Sequence, residues 1–183
     1  KVIKFQLNSE GWLDPSTVRV MFNLSNKATQ ETMRLRTLQG PHSFIRRVRI
    51  SAQGTLLEDI NDYNRTHQMF EMLTSKGNRD NSDIEGFGYR SDTIEPGGVP
   101  HEEASGTLPG IKGGSFQTVG FKLLSGVLNQ PKFIPLKYCP LTIELELINN
   151  KLEPIINPAA TGFLPADTSD NWEIYDVQLK CDI

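Results

Sequence analysis

The run Leu141-Thr142-Ile143-Glu144-Leu145-Glu146-Leu147-Ile148 alternates apolar and polar side chains at a period of two. A β-strand places successive residues on opposite faces, so this run belongs to a sheet with one dry and one wet face. Leu141, Ile143, Leu145 and Leu147 should point into a core, with Thr142, Glu144 and Glu146 outward. Thr17 to Leu24 repeats the pattern, with Val18, Val20, Phe22 and Leu24 on one side. In Phe44–Ile50, Phe44, Arg46, Val48 and Ile50 fall on one side and Ile45, Arg47, Arg49 and Ser51 on the other. In the run from Trp172 to Cys181, Tyr175, Val177, Leu179 and Cys181 form the expected apolar side, opposite Trp172, Ile174, Asp176, Gln178 and Lys180.

Shorter strand signals complete the set. Val2–Leu7 and Phe116–Leu124 read as strands, Met33–Arg36 as a weaker one, and Phe133–Leu136 carries Pro135 and suits a sheet edge. Seven or eight strands without strand–helix alternation exclude a doubly wound α/β fold. They predict an all-β fold, an antiparallel jelly-roll β-sandwich. Its core should contain Val18, Val20, Phe22, Val48, Ile50, Ile143, Leu145, Leu147, Val177 and Leu179.

One segment changes period. Between Thr55 and Thr74, Leu56, Leu57, Ile60, Tyr63, His67, Phe70 and Leu73 recur at helical spacing, and Thr55 with Glu58 fits a capping box. The expectation is a helical insertion over 55–74, broken near Asn61 if anywhere, with its apolar stripe on the sandwich. Residues 75–115 are rich in Gly, Asp, Ser and Pro and have no clear period. A loop of this length in one domain implies function or packing on a neighbour, with simple disorder as the alternative.

The 183 residues suit a single domain, 1–183, and the net charge of -3 gives no overall reason to bind nucleic acid. No apolar run approaches the roughly 20 residues of a membrane-spanning helix. Cys139 and Cys181 are expected to be free thiols rather than a disulfide. The chain starts at Lys1 and stops at Ile183 within strand-like runs, which suggests a piece of a longer polypeptide.

Chemistry-bearing residues are sparse. His42, His67 and His101 are separated in sequence, and the His-x-His pair of a cupin metal site is missing. His67 reads as a packed, hydrogen-bonded residue. Glu144 and Glu146 stand side by side on one strand face, as carboxylates do in some sandwich glycosidases, but Asn149 occupies the place of the third acid. Arg46, Arg47 and Arg49 make a basic spot that should pair with local carboxylates. The acidic stretch Asn78 to Gly86 does not space its ligands as a calcium loop does. The expectation is therefore no catalytic residue, no metal ligand and no cofactor.

The run from Phe44 to Ile50, followed by Leu56-Leu57-Glu58-Asp59-Ile60 and Tyr63-Asn64, resembles the double jelly-roll major capsid proteins of virophages and Polinton-like viruses. Leu123-Leu124-Ser125-Gly126, Lys132 to Leu136, Leu141 to Leu147, and Trp172 to Asp182 extend the resemblance in order. It covers most of the chain except 75–115, and its motifs are structural rather than catalytic. The resemblance implies the first jelly-roll of a two-jelly-roll subunit. Such subunits form trimeric pseudo-hexagonal capsomers of an icosahedral shell. It also implies neighbouring capsomers, penton and minor capsid proteins as partners, a place in the virion, and assembly inside a host cell. The chain departs from the family by lacking the second jelly-roll. The Met33–Arg36 strand would be accessory, and the closing strand would lie beyond Ile183. A carbohydrate-binding sandwich and, third, a sandwich glycosidase are the alternatives.

Overall fold

The alternation at 141–147 becomes alternating burial: Leu141, Ile143, Leu145 and Leu147 are buried, and Thr142, Glu144 and Glu146 are half-buried on the opposite face. The structure is a computed structural model, and it describes residues 1–37, 40–73, 81–82, 88–89, 110–155 and 168–183. Its elements in chain order are β1 (Val2–Leu7), β2 (Trp12–Leu13), β3 (Arg19–Asn26), β4 (Arg34–Leu35), β5 (Ile45–Ala52), β6 (Thr55–Ile60) and α1 (Tyr63–Glu71). They continue with β7 (Asn81–Ser82), β8 (Gly88–Tyr89), β9 (Ile111–Lys112), β10 (Phe116–Lys122), β11 (Ile134–Pro135), β12 (Leu141–Leu147) and β13 (Trp172–Lys180). The fold is an antiparallel β-sandwich with one short α-helix among the described residues.

Seven strands form the two principal sheets, one in the order β1-β12-β5-β6 and the other β10-β3-β13. In the first, Ile143 of β12 lies between Phe5 of β1 and Ile50 of β5. In the second, Phe22 of β3 pairs with Val119 and Val20 with Phe121 of β10. The inner faces merge into one apolar cluster. Phe44 joins them: its ring meets Trp172 edge-on at 4.9 Å and Phe22 at 6.1 Å. Each fully buried aliphatic side chain in such a core contributes about 1.5–3 kcal/mol.

All ten expected core residues lie in this cluster or against it, although Val177 and Leu179 are only half-buried. β-Bulges interrupt the expected alternation at three places. Arg46 is an extra residue opposite the Glu146–Leu147 step of β12; it is exposed, while Ile45, expected on the opposite side from Phe44, is buried with it. In β13 the bulge falls between Tyr175 and Gln178, where Asp176 has φ +52°. Trp172 and Ile174 therefore turn toward the core before it, and Val177, Leu179 and Cys181 after it, while Tyr175 is exposed. A bulge shifts side-chain parity by one, so no single parity describes either strand.

The largest correction concerns 55–74. Thr55–Ile60 is a strand, not the first half of a helix, and it forms a hairpin with β5 through Gln53-Gly54. Both turn residues have positive φ, 49° and 83°, which is the backbone of a two-residue type I′ loop. Leu57 is the bulged residue between the Ile50–Glu58 and Ser51–Leu56 pairs. The helix is confined to Tyr63–Glu71, and Leu56, Leu57, Phe70 and Leu73 are exposed rather than packed on the sandwich.

The helix docks through fewer and more polar side chains. Tyr63 is fully buried, and its Oη accepts a hydrogen bond of 2.7 Å from the Leu124 N–H. Burial pushes the Tyr63 hydroxyl far above the ordinary tyrosine range. Buried Asn64 donates to Glu153 Oε1 at 3.1 Å. Tyr63→Phe removes the acceptor and leaves the Leu124 N–H unmatched. We expect a loss of about 1–3 kcal/mol by chemical denaturation; a neutral result would show that water replaces the hydroxyl.

Among the described residues, three two-stranded sheets supplement the sandwich: β2 with β11, β4 with β9, and β7 with β8. Arg34–Leu35 is thus accessory, and Pro135 sits in one of the small sheets. Within 75–115, the paired β7 and β8 and residues 110–115 are described; the remainder of the expected loop lies outside the described residues. Gly113 explains part of that segment's glycine content, because a Cβ there would stand 2.0 Å from the Gln30 carbonyl oxygen. Only glycine permits that approach of two backbones.

Candidate functional site

The side chains singled out in the sequence fall into a surface ladder and a buried cluster. On the outer face of the larger sheet, β1, β12, β5 and β6 place opposite charges in register. Glu144 lies between Lys4, at 3.2 Å, and Arg49, at 3.7 Å. Arg47 forms a two-pronged pair with Asp59, Nε to Oδ1 at 2.7 Å and the terminal nitrogen to Oδ2 at 2.6 Å. The guanidinium holds the Asp59 carboxyl below the usual carboxylate range. Glu146 faces the same arginine. Lys4, Glu144 and Arg49 stand directly opposite one another, as do Glu146 and Arg47, at positions where Cβ atoms lie about 4.5–5.5 Å apart, whereas Arg47 reaches Asp59 diagonally because Asp59 is in register with Arg49. The ladder therefore joins the two glutamates of the enzymatic reading to cations, and it joins Arg47 and Arg49 to local carboxylates.

Cys139 and Cys181 are both free and half-buried. Burial pushes the Cys181 thiol up, away from the reactive thiolate. His101 lies outside the described residues, as does most of Asn78 to Gly86.

A different surface was concealed by the helical reading of 55–74. The outer edge of β6 has no described strand beside it. Leu56 and Leu57 are exposed there, and Met69, Phe70, Met72 and Leu73 are exposed at the end of α1. The spacing of Leu56, Leu57, Phe70 and Leu73 satisfies a helical period and so points to a buried stripe, to which Met69 and Met72 do not belong. A groove of about 320 Å³ runs between the two elements, lined by Glu58, Ile60, Thr66, Phe70, Leu124, Ser125, Gly126 and Asn129. Glu58 closes one side: its carboxylate accepts a very short hydrogen bond from Ser125 Oγ and a 2.9 Å bond from the Gly126 N–H. Ser125 Oγ in turn accepts from the Leu128 N–H at 3.1 Å. This chain of bonds latches the 124–129 turn onto β6.

The buried cluster brings together residues far apart in sequence. His42 belongs to the 3-10 turn Pro41–Phe44 and is fully buried. His67 and Glu71 are one helical turn apart on α1, so both project toward that 3-10 turn. The two imidazoles stack at 4.0 Å with an angle of 16° between planes. Glu71 Oε1 lies 3.5 Å from His42 Nδ1 and 3.6 Å from His67 Nδ1. Of the expectation that His67 is packed and hydrogen-bonded, the packing matches its position against the His42, Tyr63 and Phe121 rings. The juxtaposition with His42 and the role of Glu71 were not anticipated. The available signal was the His67-x-x-x-Glu71 spacing; nothing local in the sequence pointed to His42.

No family model matches this chain, and a search of curated proteins finds no match.

Proposed function

We propose that this chain is a structural subunit of a viral capsid that acts by associating with copies of itself, without catalysis. The observation that carries this reading is the apolar band formed by Leu56 and Leu57 on β6 and Met69, Phe70, Met72 and Leu73 at the end of α1, where β6 has no partner strand on its outer edge among the described residues. Exposed apolar side chains near a strand edge with no described partner suit a protein-binding surface. The sandwich supplies a rigid frame for such contacts. The resemblance to double jelly-roll capsid proteins supplies the particular assembly, a trimeric capsomer.

The band gives a direct test. Leu57→Asp together with Met69→Asp places charges on exposed positions, where substitution changes folding stability by about 0.5 kcal/mol or less. Weakened self-association with unchanged thermal stability supports the proposal. Unchanged association would remove this surface from it.

One observation favours a second reading. Phe116 and Tyr175 are exposed side by side on the smaller sheet, with ring centroids 6.0 Å apart. Exposed aromatic faces can stack on sugar rings, so this pair fits a carbohydrate-binding sandwich. Specific glycan-array binding abolished by Tyr175→Ala would favour it over the capsid reading.

A further inference from the structure

We infer that His42, His67 and Glu71 form a binding site for a divalent transition metal, best matched by Zn²⁺, that clamps α1 to the 3-10 turn at Pro41–Phe44. The inference stands on geometry separate from the apolar band and goes beyond the assembly proposal.

The donor set suits such an ion. Two imidazole nitrogens and one carboxylate oxygen lie within 4.8 Å of one another. Zinc takes such a set at about 2.0–2.1 Å per bond and can complete a tetrahedron with water. Bonds of that length place neighbouring ligand atoms about 3.3 Å apart. The observed separations of 3.5 and 3.6 Å from Glu71 Oε1 are close to that edge. They exceed the roughly 2.7–2.9 Å of a charge-assisted hydrogen bond.

The position of the cluster suits an ion as well. The His42 side chain has no exposure, whereas those of His67 and Glu71 retain 14% and 15%. The cluster is thus anchored in the interior and open at one rim, which provides a way in for an ion and a place for water. The Tyr63 and Phe121 rings, 5.6 and 6.1 Å from His67, form an apolar wall on another side. Two ligands come from consecutive turns of one helix and the third from a separate element, so an ion here bridges two pieces of the fold. Binding of that kind stabilises the folded state, because the unfolded chain has no such site.

The stack defines the rearrangement that binding requires. An ion in the plane of both rings needs their centroids about 5 Å apart, against the 4.0 Å observed. Rotation of the partly exposed His67 side chain provides that movement, while His42 stays fixed by burial.

The test uses the full chain, passed through chelator and titrated with Co²⁺ and then Zn²⁺. Visible d–d absorption and the thermal unfolding midpoint are followed together. The expected result is one Co²⁺ per chain, displaced by one Zn²⁺, with a rise in the midpoint. Because His42→Ala empties a buried position and can unfold the chain, the deciding variants are His67→Gln and Glu71→Gln. Each should keep the parent's circular dichroism and weaken binding about tenfold or more. The inference is overturned if no d–d band forms, or if both variants bind as the parent does. A thiolate charge-transfer band would overturn it too, by placing the ion on Cys139 or Cys181.

Discussion

Replacing Phe44 by alanine is expected to destabilise the chain by about 3–5 kcal/mol, the loss typical of a buried aromatic whose cavity cannot close. Phe44 has no exposure and stands where the 3-10 turn enters β5. Its ring touches both Phe22 and Trp172 of the opposite sheet, so its removal opens a void between two sheets rather than within one. Sheets held by their hydrogen-bond ladders cannot collapse into such a void as a loop can. Since domains are stable by only about 5–15 kcal/mol, this single change consumes a large part of the margin. Urea denaturation measures it, with Phe133→Ala as the control. Phe133 is 59% exposed, so its loss should change stability by about 0.5 kcal/mol or less. Similar values for both variants would mean that Phe44 is not the bridge between sheets.

The second large effect is expected at Asn26. It is fully buried at the end of β3, and every polar atom of its side chain is used. Nδ2 donates to the Met33 carbonyl at 3.1 Å and the Ile111 carbonyl at 2.9 Å, and Oδ1 accepts from the Ala28 N–H at 3.1 Å. One amide thereby ties the principal sheet to the flanks of the small β4–β9 sheet. Asn26→Ala leaves two carbonyls and one N–H without their partner in the interior, at a cost of about 3 kcal/mol. Asn26→Asp should be no better: it preserves the acceptor but turns a carboxylate toward two carbonyl oxygens. Hydrogen exchange at the Leu35 and Ile111 amides should accelerate in both variants. A tolerated Asn26→Asp would contradict this account of the residue.

These two positions also mark the limits of what the sequence made legible. Clean alternation was a sound guide wherever a strand lacked a bulge: β3 and β12 bury the residues expected of them. It misled at Arg46 and around Asp176, where an extra residue reverses the parity. A bulge depends on the register of the partner strand, which the local sequence does not contain. The helical reading of Thr55 to Glu58 had a different origin. Leu56 and Leu57 fall on a helical period, yet the adjacent Gln53-Gly54 forms a hairpin turn, and glutamine is an unusual residue for its first position. Of the side chains counted toward a buried stripe, Leu56, Leu57, Phe70 and Leu73 are instead exposed, while Tyr63 is buried. The histidine cluster was hidden for a topological reason: the packing of α1 on the 3-10 turn, rather than sequence proximity, brings His42 to His67 and Glu71.

Self-association is the property on which the functional proposal depends. The most direct measurement is the mass of the full chain in solution across a wide concentration range, by sedimentation or single-particle mass measurement. The account predicts a concentration-dependent passage from monomer to trimer; a single monomeric species throughout the range, folded and cooperative in unfolding, would contradict it.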